Sequence, residues 1–280
     1  MTDWGDFNDT QDEQEREFDT RSIYIDTKLD ELHDKLDQNI RTHGRVGEYH
    51  PSQLYDMCPI EQYFFRKDPL PQLENLGLPT RRVMAAGSNA HDYFQQYELG
   101  QAGLLYGVWE CPACDWKTDD FEPMPKKCEK CDCPWIRFKE TRIHVEEYNI
   151  VGHYDGLLKV DGDFYTLEMK SKTKDRFGKI VKPDRREIFQ ASIYDKYNIA
   201  DTKGIVFGYI CRERYYFKTV FVDRDEKAVA QAIERIELIE ESLEKDTVPL
   251  NINPTCRRCA KCDSQRAKAC PYNKECWSIV

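Results

Sequence analysis

No run of the 280 residues approaches the ~18 consecutive apolar positions that a membrane-crossing helix requires, and the N-terminus lacks the apolar segment of a secretory signal. A soluble, cytoplasmic protein with no membrane partner is expected. No internal repeat is present, which excludes a repeat architecture. Apolar residues are scarce over residues 1–20, too few to offset the entropy of ordering, so a disordered, solubilising tail is expected there. That segment carries eight acids against Arg16, so all but three of the ten net negative charges sit in it. The remainder is close to neutral, and with 40% hydrophobic and 12% aromatic residues it has the composition of one main globular domain with attachments.

The most informative stretch is Gly152-His153-Tyr154-Asp155, followed by Leu167-Glu168-Met169-Lys170. Residues from about 153 to 160 and from 163 to 170 are rich in branched and aromatic side chains, and Asp161-Gly162 between them is a strong two-residue hairpin signal. In that register Val160 faces Asp163, and Asp155 lies opposite Glu168, roughly 5 Å away at Cβ. Two carboxylates so placed repel unless a cation separates them, and hard oxygen ligands suit Mg²⁺ or Mn²⁺. Strand side chains alternate, so Lys170 shares the face of Glu168 and sends an ammonium into the same site. A solvated charged hairpin is the plainer reading. Against it, Gly152, Tyr154, Leu167 and Met169 give both strands an apolar character that a wet hairpin does not need.

Leu29, Leu32, Leu36 and Ile40 fall at helical spacing, predicting a helix over 22–42. A second helical region is expected from the N-cap candidate Ser52, bending or stopping near Pro59, and a third over 81–101 carrying His91. Further on, the pattern predicts strands within 142–170 and a helix over 183–199 with Pro183 in its first turn. A hairpin from 203–211 and 214–222 and a helix over 225–245 complete the pattern. Between Lys170 and Arg186 stand eight basic residues against two acids; Lys172, Lys174, Arg176, Lys179, Arg185 and Arg186 are the candidates for contact with a phosphate backbone.

Twelve cysteines without a secretory signal point to metal rather than disulfides. Cys111-x2-Cys114 and Cys128-x2-Cys131, 13 residues apart, have the spacing of a zinc ribbon, with Cys133 a spare and Trp109, Trp116 and Trp135 an apolar wrap. Cys211, in an expected core strand, reads as a small apolar residue. A second cluster comprises Cys256, Cys259, Cys262, Cys270 and Cys276. Its opening C-x2-C-x2-C resembles iron-sulfur spacing, and spacing by itself leaves iron and zinc both open.

In these residues the chain resembles the RecB-like branch of the PD-(D/E)XK nucleases, specifically the iron-sulfur type found in the AddB nuclease domain and the CRISPR-associated RecB-like exonucleases. Ser52 to Pro59, with Cys58, looks like that family's N-terminal cysteine segment, and His91 like its motif I histidine. Gly152 to Asp155 and Glu168 to Lys170 look like motifs II and III, and Gln190-x3-Tyr194 like the Q-x3-Y motif. The match spans residues 52–276. It implies an α/β fold with a mixed central sheet flanked by helices, and a [4Fe-4S] cluster held by Cys58 and three C-terminal cysteines. Cys270 and Cys276 fit the family's second and third C-terminal positions, but Ala267 stands at the first, and Cys262 is preferred over Cys259 and Cys256 as the remaining ligand. The zinc-ribbon insert is not a general family feature and suggests a subgroup such as phage-encoded nucleases. The resulting organisation is an acidic tail (1–20), a helical region with Cys58 and His91 (21–108), the insert (109–138), a nuclease core (139–250) and a cysteine cluster (251–280).

The resemblance implies hydrolysis of DNA ends, single-stranded DNA foremost, in recombination, replication or repair. Asp155, Glu168, His91 and the Met169 carbonyl would bind Mg²⁺ or Mn²⁺, Lys170 would orient or deprotonate the attacking water, and Gln190 and Tyr194 would position the motif or the strand. The rival reading is a non-catalytic DNA-binding scaffold with the same fold and structural metal sites. The complete Asp155, Glu168 and Lys170 set argues against it, because a binding module has no need of two repelling carboxylates.

Overall fold

A computed structural model of the chain describes residues 47–69, 78–119, 121–249, 270–272 and 274–276, with 27, 28 and 31. The acidic tail, most of the helix expected over 22–42, and Cys256, Cys259 and Cys262 lie outside the described residues. No helix among those described is long and apolar enough to cross a membrane.

The hairpin signal at Asp161-Gly162 is realised in the sheet. Both residues have positive φ, 51° and 93°, as a primed two-residue turn requires. They join β6 (Gly156–Val160) to β7 (Asp163–Lys172), which pair antiparallel in the predicted register, Val160 facing Asp163 and Gly156 facing Leu167. On the far side of β7 lies β8 (Thr202–Cys211), parallel to it, and then β9 (Phe217–Val222), antiparallel to β8. β8 is buried on both faces over most of its length, so its sequence reads as a continuous apolar run rather than an alternation. On the other side of β6 comes β1 (Leu105–Glu110), which also pairs with β2 (Glu122–Pro123) and β3 (Arg137–Lys139). Among the described residues this makes a seven-stranded mixed sheet, with a separate antiparallel pair of β4 (Thr141–Val145) and β5 (Ile150–Tyr154).

Helices cover both faces. Short α1 (Pro51–Leu54) and α2 (Pro59–Lys67) precede α3 (Leu78–Tyr93), which runs into a π-helical turn at Phe94–Gly100. Short α4 (Lys174–Gly178) follows β7, α5 (Arg185–Tyr197) leads into β8, and α6 (Glu226–Glu244) follows β9. Alternation along β6 and β7 divides the core between two layers. Leu158, Leu167 and Met169 pack with Ala90 and Phe94 of α3 and the π turn. Leu157 packs with Phe189 and Ile193 of α5 and Ile236 of α6. The chain is a mixed α/β protein with a central sheet between helices.

Several expectations are corrected. The strand expected to run unbroken from about residue 153 is cut at Asp155: β5 belongs to the small sheet and β6 to the large one. Helix α1 is capped by His50 with Pro51 at its first position, not by Ser52, because proline's missing N–H and fixed φ suit that position. Pro59 starts α2 for the same reason. Pro183 precedes the N-cap of α5. That cap is Asp184, in a reciprocal capping box with Glu187. Strand β1 was not anticipated.

Candidate active site

The break at Asp155 positions the first carboxylate. Gly156 has φ +139°, and a Cβ there would lie 2.5 Å from Leu105 Cδ1, so only glycine lets the chain step from the small sheet into the large one at this point. With β5 diverted, the Met169 N–H on the exposed flank of β7 has no ladder partner and donates instead to Asp155 Oδ2, at 2.6 Å. A strand residue's N–H and C=O point to the same side, so the Met169 carbonyl faces this flank too. The buried Gln95 side chain donates to the Asp155 main-chain carbonyl, at 2.8 Å. One helical turn before Gln95, His91 Nδ1 lies 3.8 Å from Asp155 Oδ1.

Glu168 and Lys170 share a face of β7, as alternation predicts, and the Lys170 ammonium donates to Glu168 Oε1 at 2.6 Å. It also donates, at 3.4 Å, to Gln190 Oε1 on α5, and Gln190 is in turn hydrogen-bonded with Tyr194 one turn further along. The six side chains singled out in the sequence, together with Met169, thus converge from α3, the β5–β6 break, β7 and α5.

The electrostatics of the cluster are strongly perturbed. Asp155 is held well above the ordinary carboxylate range, first by burial and then by Glu168, with the Met169 N–H opposing. Glu168 is also raised by burial, against the pull of Lys170. His91 is brought down to about 4 by burial and by Lys170, so its ring is neutral and able to act as a ligand. Burial disfavours the Lys170 ammonium, yet Glu168 and Asp155 together raise it. Two desolvated carboxylates, of which Glu168 raises the proton affinity of Asp155, with a neutral imidazole beside Asp155, would suit a hard divalent ion.

Sequence reasoning missed three residues around this centre. Gln95 was detectable only as the residue four positions after His91. Glu140, between β3 and β4, acts electrostatically on Asp155, Glu168 and Tyr194, and nothing in its sequence context announced it. Buried Glu187 accepts hydrogen bonds from Lys172 and, at 2.7 Å, from the Tyr209 hydroxyl. Lys172 is therefore half-buried in an ion pair. Lys174, Arg176, Lys179 and Arg185 are exposed, while exposed Arg186 pairs with Asp56 at 3.2 Å.

The Sγ atoms of Cys111, Cys114, Cys128 and Cys131 lie within 4.8 Å of one another and could hold a metal ion. Burial opposes a thiolate at Cys111, but the Ala113 amide and the neighbouring thiols outweigh it and bring the group down to about 7. Cys133 faces away, towards the Trp135 carbonyl. Trp109 is fully buried in the cluster that includes Cys111 and Cys128, whereas Trp135 is 66% exposed. Cys211 is buried in β8. At the other end of the chain, burial pushes Cys270 up to about 11, and the charges of Glu61, Cys58 and Cys276 act on it in the same direction, so these three cysteines are neighbours. Tyr272 fixes that segment by stacking on Phe64 and donating to the Asp68 carbonyl at 2.8 Å.

No protein-family model matches the sequence, and no curated protein matches it. Among solved structures, that of SSO0001 is similar over 94% of this chain and 100% of its own, with 13% identity and a TM-score of 0.42. An alkaline exonuclease (LHK-Exo) from Laribacter hongkongensis is similar over 72% of this chain and 90% of its own, with 13% identity and a TM-score of 0.45.

Proposed function

We propose that the chain is a metal-dependent deoxyribonuclease of the PD-(D/E)XK type that hydrolyses phosphodiester bonds at DNA ends, with single-stranded DNA its preferred substrate. The observation that carries this reading is the desolvated Asp155 and Glu168 pair with Lys170 in direct contact. Asp155, Glu168, His91 and the Met169 carbonyl are the groups that would hold Mg²⁺ or Mn²⁺. A bound ion supplies charge neutralisation at the phosphate and an activated water.

The remaining chemistry belongs to the chain. An ammonium has three N–H donors; Lys170 directs one at Glu168 and one at Gln190, leaving one for a scissile phosphate oxygen or the attacking water. Gln190 and Tyr194 hold that ammonium in place from the rigid face of α5. Lys174, Arg176, Lys179 and Arg185, exposed directly after β7, supply sequence-independent attraction for the backbone. In the same proposal the Cys111, Cys114, Cys128 and Cys131 knuckle takes Zn²⁺, and Cys58, Cys270 and Cys276 join Cys262 around a [4Fe-4S] cluster that ties the ends of the fold together. The proximity of the first three thiols fits that grouping.

The test is incubation of anaerobically purified protein with end-labelled linear single-stranded DNA and with circular DNA, in Mn²⁺ or without divalent ion, beside Asp155→Ala and Lys170→Ala variants. Metal-dependent loss of the linear DNA alone, absent in both variants, is expected. Variants that cut as well as the parent would place the chemistry elsewhere, and no cleavage by the intact protein would leave a DNA-binding scaffold.

A further inference from the structure

A cleft of about 620 Å³ is walled on one side by the end of α3 and the π turn and on the other by the knuckle and β3. Its walls are fixed to each other: the Gln96 side chain donates to the Ile136 carbonyl and accepts from the Phe138 N–H at 3.1 Å, clamping helix to strand. Three large rings line it without being buried by the fold, Tyr93, Tyr97 and Trp135, at 44%, 48% and 66% exposure. Tyr93 and Tyr97 lie 5.8 Å apart between centroids, and exposed Tyr215 meets Tyr93 at 6.2 Å, extending the aromatic surface beyond the rim. Neighbouring exposed rings at one concave site mark a surface kept for a ligand.

The polar lining indicates which ligand. Amide groups and Arg137 stand among the rings, with Asp92 the opposing charge, so the cleft is not a cationic phosphate channel. Rings and amides without a surplus of positive charge suit nucleobases, which stack on aromatic faces and hydrogen-bond along their edges. Bases in a duplex hide their faces inside the stack, so the occupant must be unpaired. One residue links the cleft to the carboxylate site: buried Gln95 is part of its lining, and its side chain donates to the Asp155 main-chain carbonyl.

We propose that this cleft is a single-strand binding site, in which successive unpaired bases stack on Tyr97, Tyr93 and Trp135 while Arg137 takes a phosphate, leading the strand towards Asp155. The inference deepens the nuclease reading and rests on it for the strand's purpose. It also gives the cysteine knuckle a role, since the segment that carries Trp135 forms the outer wall.

The test is anisotropy of a labelled oligo(dT) and of a blunt duplex of equal length, titrated with metallated protein carrying Asp155→Ala so that the strand survives, with and without Trp135→Ala or Tyr97→Ala. Each added substitution is expected to weaken oligo(dT) binding by about tenfold, the scale of one lost base-aromatic stack, and to leave duplex binding and the circular dichroism spectrum unchanged. In the otherwise native chain, the same substitutions are expected to raise KM for single-stranded DNA with kcat preserved. Oligo(dT) binding within twofold of the parent for both variants would overturn the assignment and make the rings a surface for some other partner, as would equal loss on duplex. Weakened oligo(dT) binding in a protein that cuts no DNA defeats the nuclease reading and keeps the cleft; intact cleavage with unchanged binding does the reverse.

Discussion

Asp155 owes its place to neighbours that hold both its main chain and its side chain. Gln95 holds its carbonyl, Met169 holds its carboxylate, and Gly156 provides the backbone turn that takes the chain out of one sheet and into another. Gly156→Ala brings a Cβ into Leu105 and imposes a φ that alanine rarely adopts, so it is expected to cost about 2 kcal/mol, read from urea unfolding, and to depress cleavage because the carboxylate shifts with the backbone. Gln95→Leu leaves the Asp155 carbonyl without its donor while keeping an apolar side chain in the buried space. It is expected to raise the Mn²⁺ concentration for half-maximal cleavage by about tenfold with little loss of stability, the pattern of a residue that orients a metal ligand. An unchanged Mn²⁺ titration would show that Met169 and the local backbone suffice. The register from Val160 facing Asp163 to Gly156 facing Leu167 was legible because a two-residue turn fixes it by arithmetic, whereas the pairing stops short of Asp155. The role of Gln95 was not legible, because a glutamine on a helix carries no local mark of what lies across the fold.

At the scale of elements, those with a complete local code were the ones read correctly. β8 and β9, α6 with its Asp225 cap, and α5 fall where pattern placed them, to within a few residues. The cut between β5 and β6 was hidden because Tyr154 and Leu157 continue an apolar run across it, and only the tertiary demand of two sheets shows why Gly156 stands there. β1 was hidden because it is six residues long and runs straight into the first cysteine pair, which drew the whole segment into the insert. The π turn was hidden because its sequence is that of an ordinary helix end. α5 is the element on which the site leans, as it carries Gln190 and Tyr194 from a start fixed by the Asp184 and Glu187 capping box. Asp184→Ala removes the side-chain acceptor for the Glu187 N–H, at 2.9 Å, and is expected to cost about 1 kcal/mol, a lowering of the thermal midpoint of a few degrees. Since Phe189 and Ile193 keep the helix docked, kcat is expected to stay within about twofold of the parent; a collapse of kcat would mean that the cap, and not the packing, holds Gln190 against Lys170.

On the scale of the whole molecule, the cysteine knuckle is continuous with the core and is no detachable appendage. Cys111 and Cys128 are buried in the same cluster as Trp109, Leu105 and Met169, so the thiols that could hold an ion share one core with the strand that carries Glu168 and Lys170. The four-cysteine group was fully legible, since tetrahedral ligation imposes a spacing that the sequence displays, whereas the burial of Trp109 and the exposure of Trp135 depended on the fold. With the proposed ion in place, replacing one thiolate would break the ligand set. Cys128→Ser is therefore expected to lose one equivalent of metal per chain, measured by mass spectrometry of the intact protein and its metal content, and to cost about 3 kcal/mol or more on thermal unfolding. Cys133→Ser, whose sulfur lies outside the group, serves as the matched control and is expected to keep both metal and stability. Because the knuckle forms one wall of the aromatic cleft, Cys128→Ser is also expected to weaken single-strand binding while Lys170→Ala does not. A Cys128→Ser protein that keeps its full metal content would show that Cys133 replaces the missing ligand and that the loop between Cys128 and Cys133 can shift register around the ion.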